Sequence, residues 1–263
     1  MRAPVIALLT DFGARDWYAG ALKGVLASRA PRVAVADITH EIPPQDVAAG
    51  AFTLAAAAPW FPRGTVFLAV VDPGVGSRRA LLAAWADGRQ FVGPDNGLLA
   101  LCLQQATRLR VVRLNRPRHW LPDVSRTFQG RDIMAPVAAY LARGGRLSAL
   151  GSPVRRFHPL ALPVPQRRGR RMTGRVVHVD TYGNLITNLP AALLPPNGPV
   201  AAIRCQGCRA RVVSSYADGR ARELLAMAGS LGFVELAVRD GSAASACGSA
   251  RGDAVECTLT GSG

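Results

Sequence analysis

The chain has 263 residues, 49% hydrophobic and 19% charged, with 32 basic against 17 acidic side chains and a formal net charge of +15. That length and apolar content suit one large folded domain or two small ones, and they exclude a disordered or collagen-like chain. The longest mostly apolar stretch, residues 48–61, is too short for a membrane span and is broken by Thr53 and Pro59.

In chain order, apolar runs at residues 5–10, 33–38, 65–71 and 109–114 read as buried strands, bounded by Asp, Gly or Pro, with a hairpin region at 85–92. Helical patterns at 17–28, 46–57 and 131–143 accompany them. This strand and helix alternation predicts an α/β N-terminal domain with a mainly parallel sheet over residues 1–154. The segment 155–171, RRFHPLALPVPQRRGRR, has prolines at 159, 163 and 165 and no helical period, the composition of a linker. Beyond it, short strands at 174–179, 201–205, 211–215, 233–238 and 254–259 predict a smaller, mostly-β, barrel-like C-terminal domain at 172–263.

The basic excess consists of arginines apart from Lys23, and its one dense run is Arg167, Arg168, Arg170 and Arg171. Nucleic-acid proteins concentrate charge on a face or stripe, so no nucleic-acid partner is expected, and no membrane partner either. The apolar run behind Arg2 stops at Asp11, short of signal-peptide length, which predicts a cytoplasmic protein. Cys102, Cys205, Cys208, Cys247 and Cys257 are an odd set, expected as reduced thiols. Cys205 and Cys208 have C-x-x-C spacing but no second ligand pair, which favours a tight Gln-Gly turn over a zinc site.

In an open α/β sheet, ligands bind beyond the carboxyl ends of the strands. The first run empties into Thr10-Asp11-Phe12-Gly13 and then Asp16, Tyr18 and Lys23, and the third into Asp72-Pro73-Gly74-Val75-Gly76-Ser77-Arg78-Arg79. A carboxylate at such a tip can bind a ribose diol, or cap the helix that follows; both readings of Asp11 stand at this point. Asp72 equally suits a Pro-Gly turn. Further polar clusters are Pro94-Asp95-Asn96-Gly97, Thr127-Phe128-Gln129-Gly130-Arg131-Asp132 at a helix head, and Asp180-Thr181-Tyr182-Gly183-Asn184 after a strand. Taken singly, the last two read as an N-cap with a surface ion pair and as a turn. His40, His119, His158 and His178 form no visible ligand pair or triad.

Together and in order, TDFG with DWYAGALKG, ITHEIPPQDVAAGA, VVDPGVGSRR, GPDNGLL, TFQGRDIMAPVAA, VDTYGNLITNL and GFVELAVRDGSAA resemble the adenosine-forming S-adenosyl-L-methionine (SAM) hydrolases, or SAM hydroxide adenosyltransferases, relatives of fluorinase and chlorinase. The likeness spans nearly the whole chain. It implies an α/β domain followed by a barrel-like one, a homotrimer with sites between subunits, SAM as the substrate, and neither metal nor cofactor. The implied reaction is attack of water on the ribose 5′ carbon, giving adenosine and L-methionine.

By resemblance, Asp11 takes the ribose diol, Asp16 lies near the methionine end and Phe128 flanks the ribose. Asp180 and Asn184 fall at positions for the methionine amino group and adenine, Tyr182 at a stacking ring, and Ser230 at the methionine carboxylate, with Gly229 where the family has Asn. Asp72 and Arg79 match two of three residues around the water, whereas Gln129 stands where the family has His. An amide orients water but does not titrate. That departure keeps open a weakly active or non-catalytic SAM-binding protein and, less favoured, a halogenase.

Overall fold

The structure is a computed structural model that describes residues 5–260; Arg2 lies outside the described residues. The chain divides into two compact units, Met1–Ala161 and Leu162–Gly263.

The first unit holds strands β1 (Val5–Thr10), β2 (Ala34–Thr39), β3 (Val66–Val70), β4 (Leu81–Ala86), β5 (Arg89–Pro94), β6 (Leu109–Leu114) and β7 (Gly151–Pro153). Helices α1 (Tyr18–Arg29), α2 (Val47–Ala57), α3 (Ala100–Gln104) and α4 (Ala135–Ala142) complete it. Side chains alternate along β1: Ile6 and Leu8 pack with Leu22 and Leu26 of α1 and Ala138 and Leu141 of α4, whereas Ala7 and Leu9 pack with Leu54 of α2 and Leu103 of α3. Both faces of the sheet are thus covered, which is why β3 is apolar and buried at every position.

The sheet order is β2-β1-β3-β5-β4-β6-β7. The mainly parallel sheet expected from the sequence is corrected to a mixed one: β2, β1, β3 and β5 are parallel, and β4, β6 and β7 add antiparallel. The cause is local. Asp87 and Gly88 both have positive φ, 46° and 89°, the backbone of a two-residue hairpin turn that folds β5 back beside β4.

The second unit holds β8 (Gln166–Arg168), β9 (Arg171–Val179), β10 (Leu185–Pro190), β11 (Val200–Cys205), β12 (Cys208–Val212), β13 (Leu224–Ala228), β14 (Phe233–Val238), α5 (Ala243–Cys247) and β15 (Ala254–Leu259). Because β10 pairs with both β14 and β9, seven strands close into a barrel, with β8 an added strand on β9. Alternate residues such as Val234, Leu236, Ile203, Val255 and Cys257 fill it. The strand expected at 211–215 instead begins at Cys208, since Gln206 and Gly207 (φ 47° and 79°) turn the chain immediately after Cys205.

Candidate functional site

Parallel pairing of β1 with β3 sets Thr10 opposite Val70, so the two strands deliver Asp11 and Asp72 side by side at the sheet's carboxyl edge. The β1 tip is braced from below. The Thr10 hydroxyl is buried, accepts from the Phe12 N–H at 3.2 Å and bonds His40 Nδ1 at 2.8 Å, and His40 Nε2 lies 3.2 Å from Asp37. Burial pushes the Asp37 carboxyl up, but the Lys23 ammonium at 2.6 Å, together with His40, outweighs that and holds it below its ordinary value. Asp11 does not cap α1, which has no side-chain cap; its Oδ2 accepts the Gln45 N–H at 2.8 Å.

The β3 tip makes both a turn and an ion pair. Val75 N–H donates to the Asp72 carbonyl, while Arg79 grips the Asp72 carboxylate with Nε, at 2.6 Å from Oδ1, and Nη2. Both side chains are more than nine-tenths buried, at 9% exposure for Arg79 and 5% for Asp72. Gly76 makes this loop possible: its φ is +79°, and a Cβ there would stand 2.7 Å from the Arg126 carbonyl oxygen.

Arg79 Nη2 also donates to Gln129 Oε1 at 2.8 Å. A guanidinium carries only donors, so the oxygen of the Gln129 amide must face Arg79 and its NH2 must point elsewhere. Gln129 stands at the entrance to a π-helical turn, Gly130–Met134, that leads into α4. The acid–base pair beside it is not a surface pair. Asp132 is fully buried, accepting from Arg131 Nε at 2.6 Å and from the Ser125 N–H at 2.8 Å, which ties down the loop carrying Thr127 and Phe128. Its hydrogen bond holds the Arg131 guanidinium above its ordinary pKa.

These tips enclose a cavity of about 410 Å³ whose lining includes Asp11, Phe12, Tyr18, Gln45, Asp72, Phe128 and Gln129. The volume falls in the usual small-molecule range of roughly 300–1,000 Å³. A larger cleft of about 990 Å³ on the same unit, among Trp85, Arg110 and Arg155, has no carboxylate in its lining; converging acids single out the smaller one. Phe12 and Tyr18 were read from the sequence only as part of the polar cluster after the first apolar run, and neither they nor Gln45 were given a site role. Two of them carried a signal, because Phe12 and Tyr18 belong to the TDFG and DWY motifs and pack their rings on Phe128 at 5.7 and 5.3 Å. Gln45 also lies in a quoted motif, ITHEIPPQDVAAGA, but its contribution is the backbone N–H that its left-handed conformation (φ 66°) brings to Asp11, which no side-chain pattern records. Asp16 is exposed on the turn before α1 and outside the cavity lining.

In the second unit, Asp180 organises its own turn. Oδ1 accepts the N–H groups of Tyr182 and Asn184 at 2.9 and 2.8 Å, and Oδ2 accepts Asn184 Nδ2 at 2.9 Å. Tyr182 is 79% exposed, an unusual place for a large ring, whereas Asn184 is buried. Ser230 is exposed on the turn joining β13 to β14.

A mixed α/β unit with two carboxylates and a cavity at its strand tips, joined to a closed β-barrel unit, defines a class of two-domain protein. Residues 6–151 match the SAM hydroxide adenosyltransferase N-terminal domain and residues 174–256 its C-terminal domain. A protein of Salinispora tropica named (R)-S-adenosyl-L-methionine hydrolase is 41% identical over 97% of this chain and 98% of its own, and one of the same name from Thermus thermophilus is 40% identical over 92% and 95%. The crystal structure of an uncharacterized conserved protein from Thermotoga maritima superimposes with a TM-score of 0.90 at 33% identity, covering 96% of this chain and 99% of that one. The chain belongs to the SAM hydroxide adenosyltransferase family.

Proposed function

We propose that this protein hydrolyses SAM to adenosine and L-methionine by attack of water on the ribose 5′ carbon. The observation that carries this reading is the Asp72–Arg79–Gln129 chain at the cavity wall. Methionine departs from a sulfonium as a neutral thioether, so the leaving group needs no acid, and the work that remains is to hold water and ribose in line and accept a proton late. With its oxygen committed to Arg79, the Gln129 amide offers N–H groups to a water, leaving a lone pair free for attack. Asp72 supplies the anionic end of that hydrogen-bonded group. Asp11 binds the ribose diol and Phe128 packs beside it. Asp16, Asp180, Asn184 and Ser230 serve the amino-acid and adenine ends, and Tyr182 stacks on the base. The reaction as written needs no metal or cofactor, and the assembly proposed is a homotrimer.

Gln129 favours a second reading, a SAM-binding protein with little turnover, since a residue that cannot titrate replaces one that can. Halide transfer is disfavoured because the Asp72 carboxylate would face a desolvated anion. The deciding experiment incubates purified protein with SAM, with and without chloride, and resolves products by chromatography and mass spectrometry. Adenosine and methionine in equal amounts, independent of chloride, are expected. Measurable SAM binding without product would select the second reading, and a chloride-dependent 5′-chloronucleoside would select halide transfer.

A further inference from the structure

His40 belongs to the motif ITHEIPPQDVAAGA and has no part in the reaction as proposed. Its place in the fold bears on the site all the same. Strand β2 runs parallel to β1 with Leu8 opposite Asp37 but Leu9 opposite Thr39, a bulge that gives β2 one extra residue just before His40. Side chains three positions apart in a regular strand face opposite sides. The extra residue turns His40 to the side of Asp37, where its Nε2 stands 3.2 Å from the carboxylate without the alignment of a hydrogen bond.

So placed, His40 grips the end of β1 at two points. Its Nδ1 lies 2.8 Å from the Thr10 hydroxyl, and its carbonyl accepts the Gly13 N–H at 2.7 Å. The Thr10 oxygen in turn accepts the Phe12 N–H at 3.2 Å. Asp11 and Phe12, which line the cavity, sit between the two anchors, whereas His40 is not in the lining. The His40 side chain is 10% exposed and Thr10 is fully buried, so water has little access to replace these bonds.

The protons of this chain of bonds follow from what each group can do. A hydroxyl has one hydrogen to give, and the Thr10 oxygen already accepts from Phe12. With Nδ1 unprotonated, the Thr10 O–H donates to it, and both the hydrogen and the oxygen of Thr10 have partners. A proton on Nδ1 would leave the buried Thr10 hydrogen without an acceptor among the described residues. Satisfying the hydroxyl therefore assigns Nδ1 as the acceptor.

We infer that His40 is a positioning residue for ribose recognition, fixing the β1 tip so that the Asp11 carboxylate meets both hydroxyls of a ribose diol. This role rests on the proposed reading of Asp11 as the diol carboxylate. The Gln45 N–H, 2.8 Å from Asp11 Oδ2, orients the carboxylate within the tip, and His40 orients the tip itself. A displacement of about 1 Å is enough to spoil such a two-point contact. Losing the anchor therefore costs binding of the diol and spares binding of the base.

The test is calorimetric titration of the full chain with adenosine and with 2′,3′-dideoxyadenosine, so that no turnover is needed. The parent should prefer adenosine by roughly 10–100-fold, the worth of hydrogen bonding to a charged group. His40→Leu should weaken adenosine by roughly tenfold or more while dideoxyadenosine binds as in the parent, so the preference falls towards unity. His40→Asn, whose side-chain oxygen can stand near the place of Nδ1, should restore most of it. Thr10→Val removes the hydroxyl at nearly constant volume; it should repeat the His40→Leu result, and it carries the test if that variant does not fold. Equal losses for both ligands, or no change in either, in a folded variant would overturn the positioning role. A parent that binds neither ligand, or both alike, would overturn instead the reading of Asp11 on which the role rests.

Discussion

Asp72 and Arg79 illustrate what one buried ion pair commits a site to. Each balances the other's charge inside the protein, so truncating either to Ala leaves an unpaired buried charge, typically about 3–5 kcal/mol, and confuses lost folding with lost catalysis. Asp72→Asn keeps the shape and one oxygen for Arg79 but still leaves the guanidinium without its counter-charge, so its folding is checked by chemical denaturation beside the kinetics. It is expected to lower kcat by on the order of 10²–10⁴ while SAM affinity stays within several-fold; parent-like turnover would remove Asp72 from the mechanism. Gln129 makes a separate prediction. An amide has no proton to lose, so kcat should be flat across neutral pH in the parent, whereas Gln129→His introduces a group that titrates near 6.5. Activity of that variant should then rise as pH passes upward through the imidazole's range, and a matching limb in the parent would point to a different titrating group. Among the site residues, Asp72, Arg79 and Gln129 were set around one water only by resemblance, and the ion pair between the first two was not read from the sequence. Nor was the Gln129 contact: it joins residues 50 positions apart, and only the packing of the π-helical turn brings them together.

Single elements position these groups, and their legibility followed their length and chemistry. Strand β1 lies where its apolar run placed it, because a buried central strand is written as an almost uninterrupted apolar segment before turn residues, and β6 (LRVVRL) keeps its expected bounds although the exposed Arg110 and Arg113 interrupt its run. Strand β13, Leu224–Ala228, went unread: LLAMA contains no β-branched residue and is equally good helix text. Helices α3 and α5, five residues each, are too short to show a period. Glycines divide in the same physical way. Gly183 has φ +79° and no room for a Cβ against Ser242, so Gly183→Ala should destabilise the protein by about 1–3 kcal/mol. Gly24 lies within α1 with nothing within 4 Å of a Cβ, so Gly24→Ala should stabilise by about 0.5–1 kcal/mol. Chemical denaturation of the two variants beside the parent tests the pair; a lowered midpoint for Gly24→Ala, or an unchanged one for Gly183→Ala, would contradict this account.

For the whole molecule, the division into an α/β part and a β part was readable from the change of texture along the chain, whereas the mixture of parallel and antiparallel strands was not, since strand direction depends on which neighbour a hairpin selects. Net charge has the same global character, and it acts against the proposed chemistry. SAM carries a sulfonium, an ammonium and a carboxylate, hence one net positive charge, and it must approach a chain of +15. The cavity lining offers Asp11 and Asp72, and the second of these is neutralised by Arg79, so the local attraction amounts to about one carboxylate. Repulsion from the remaining arginines reaches about 30 Å at 0.01 M salt but only about 8 Å at 0.15 M, a range over which the short contact with Asp11 persists. Raising ionic strength between those limits should therefore increase kcat/KM for SAM, by faster association, while inhibition by uncharged adenosine stays constant. Steady-state assays at the two salt concentrations, with adenosine as the neutral control, check the direction. A kcat/KM that falls with salt would mean that the field at the cavity mouth is negative, and that the acids around the site govern the approach of substrate despite the charge of the chain.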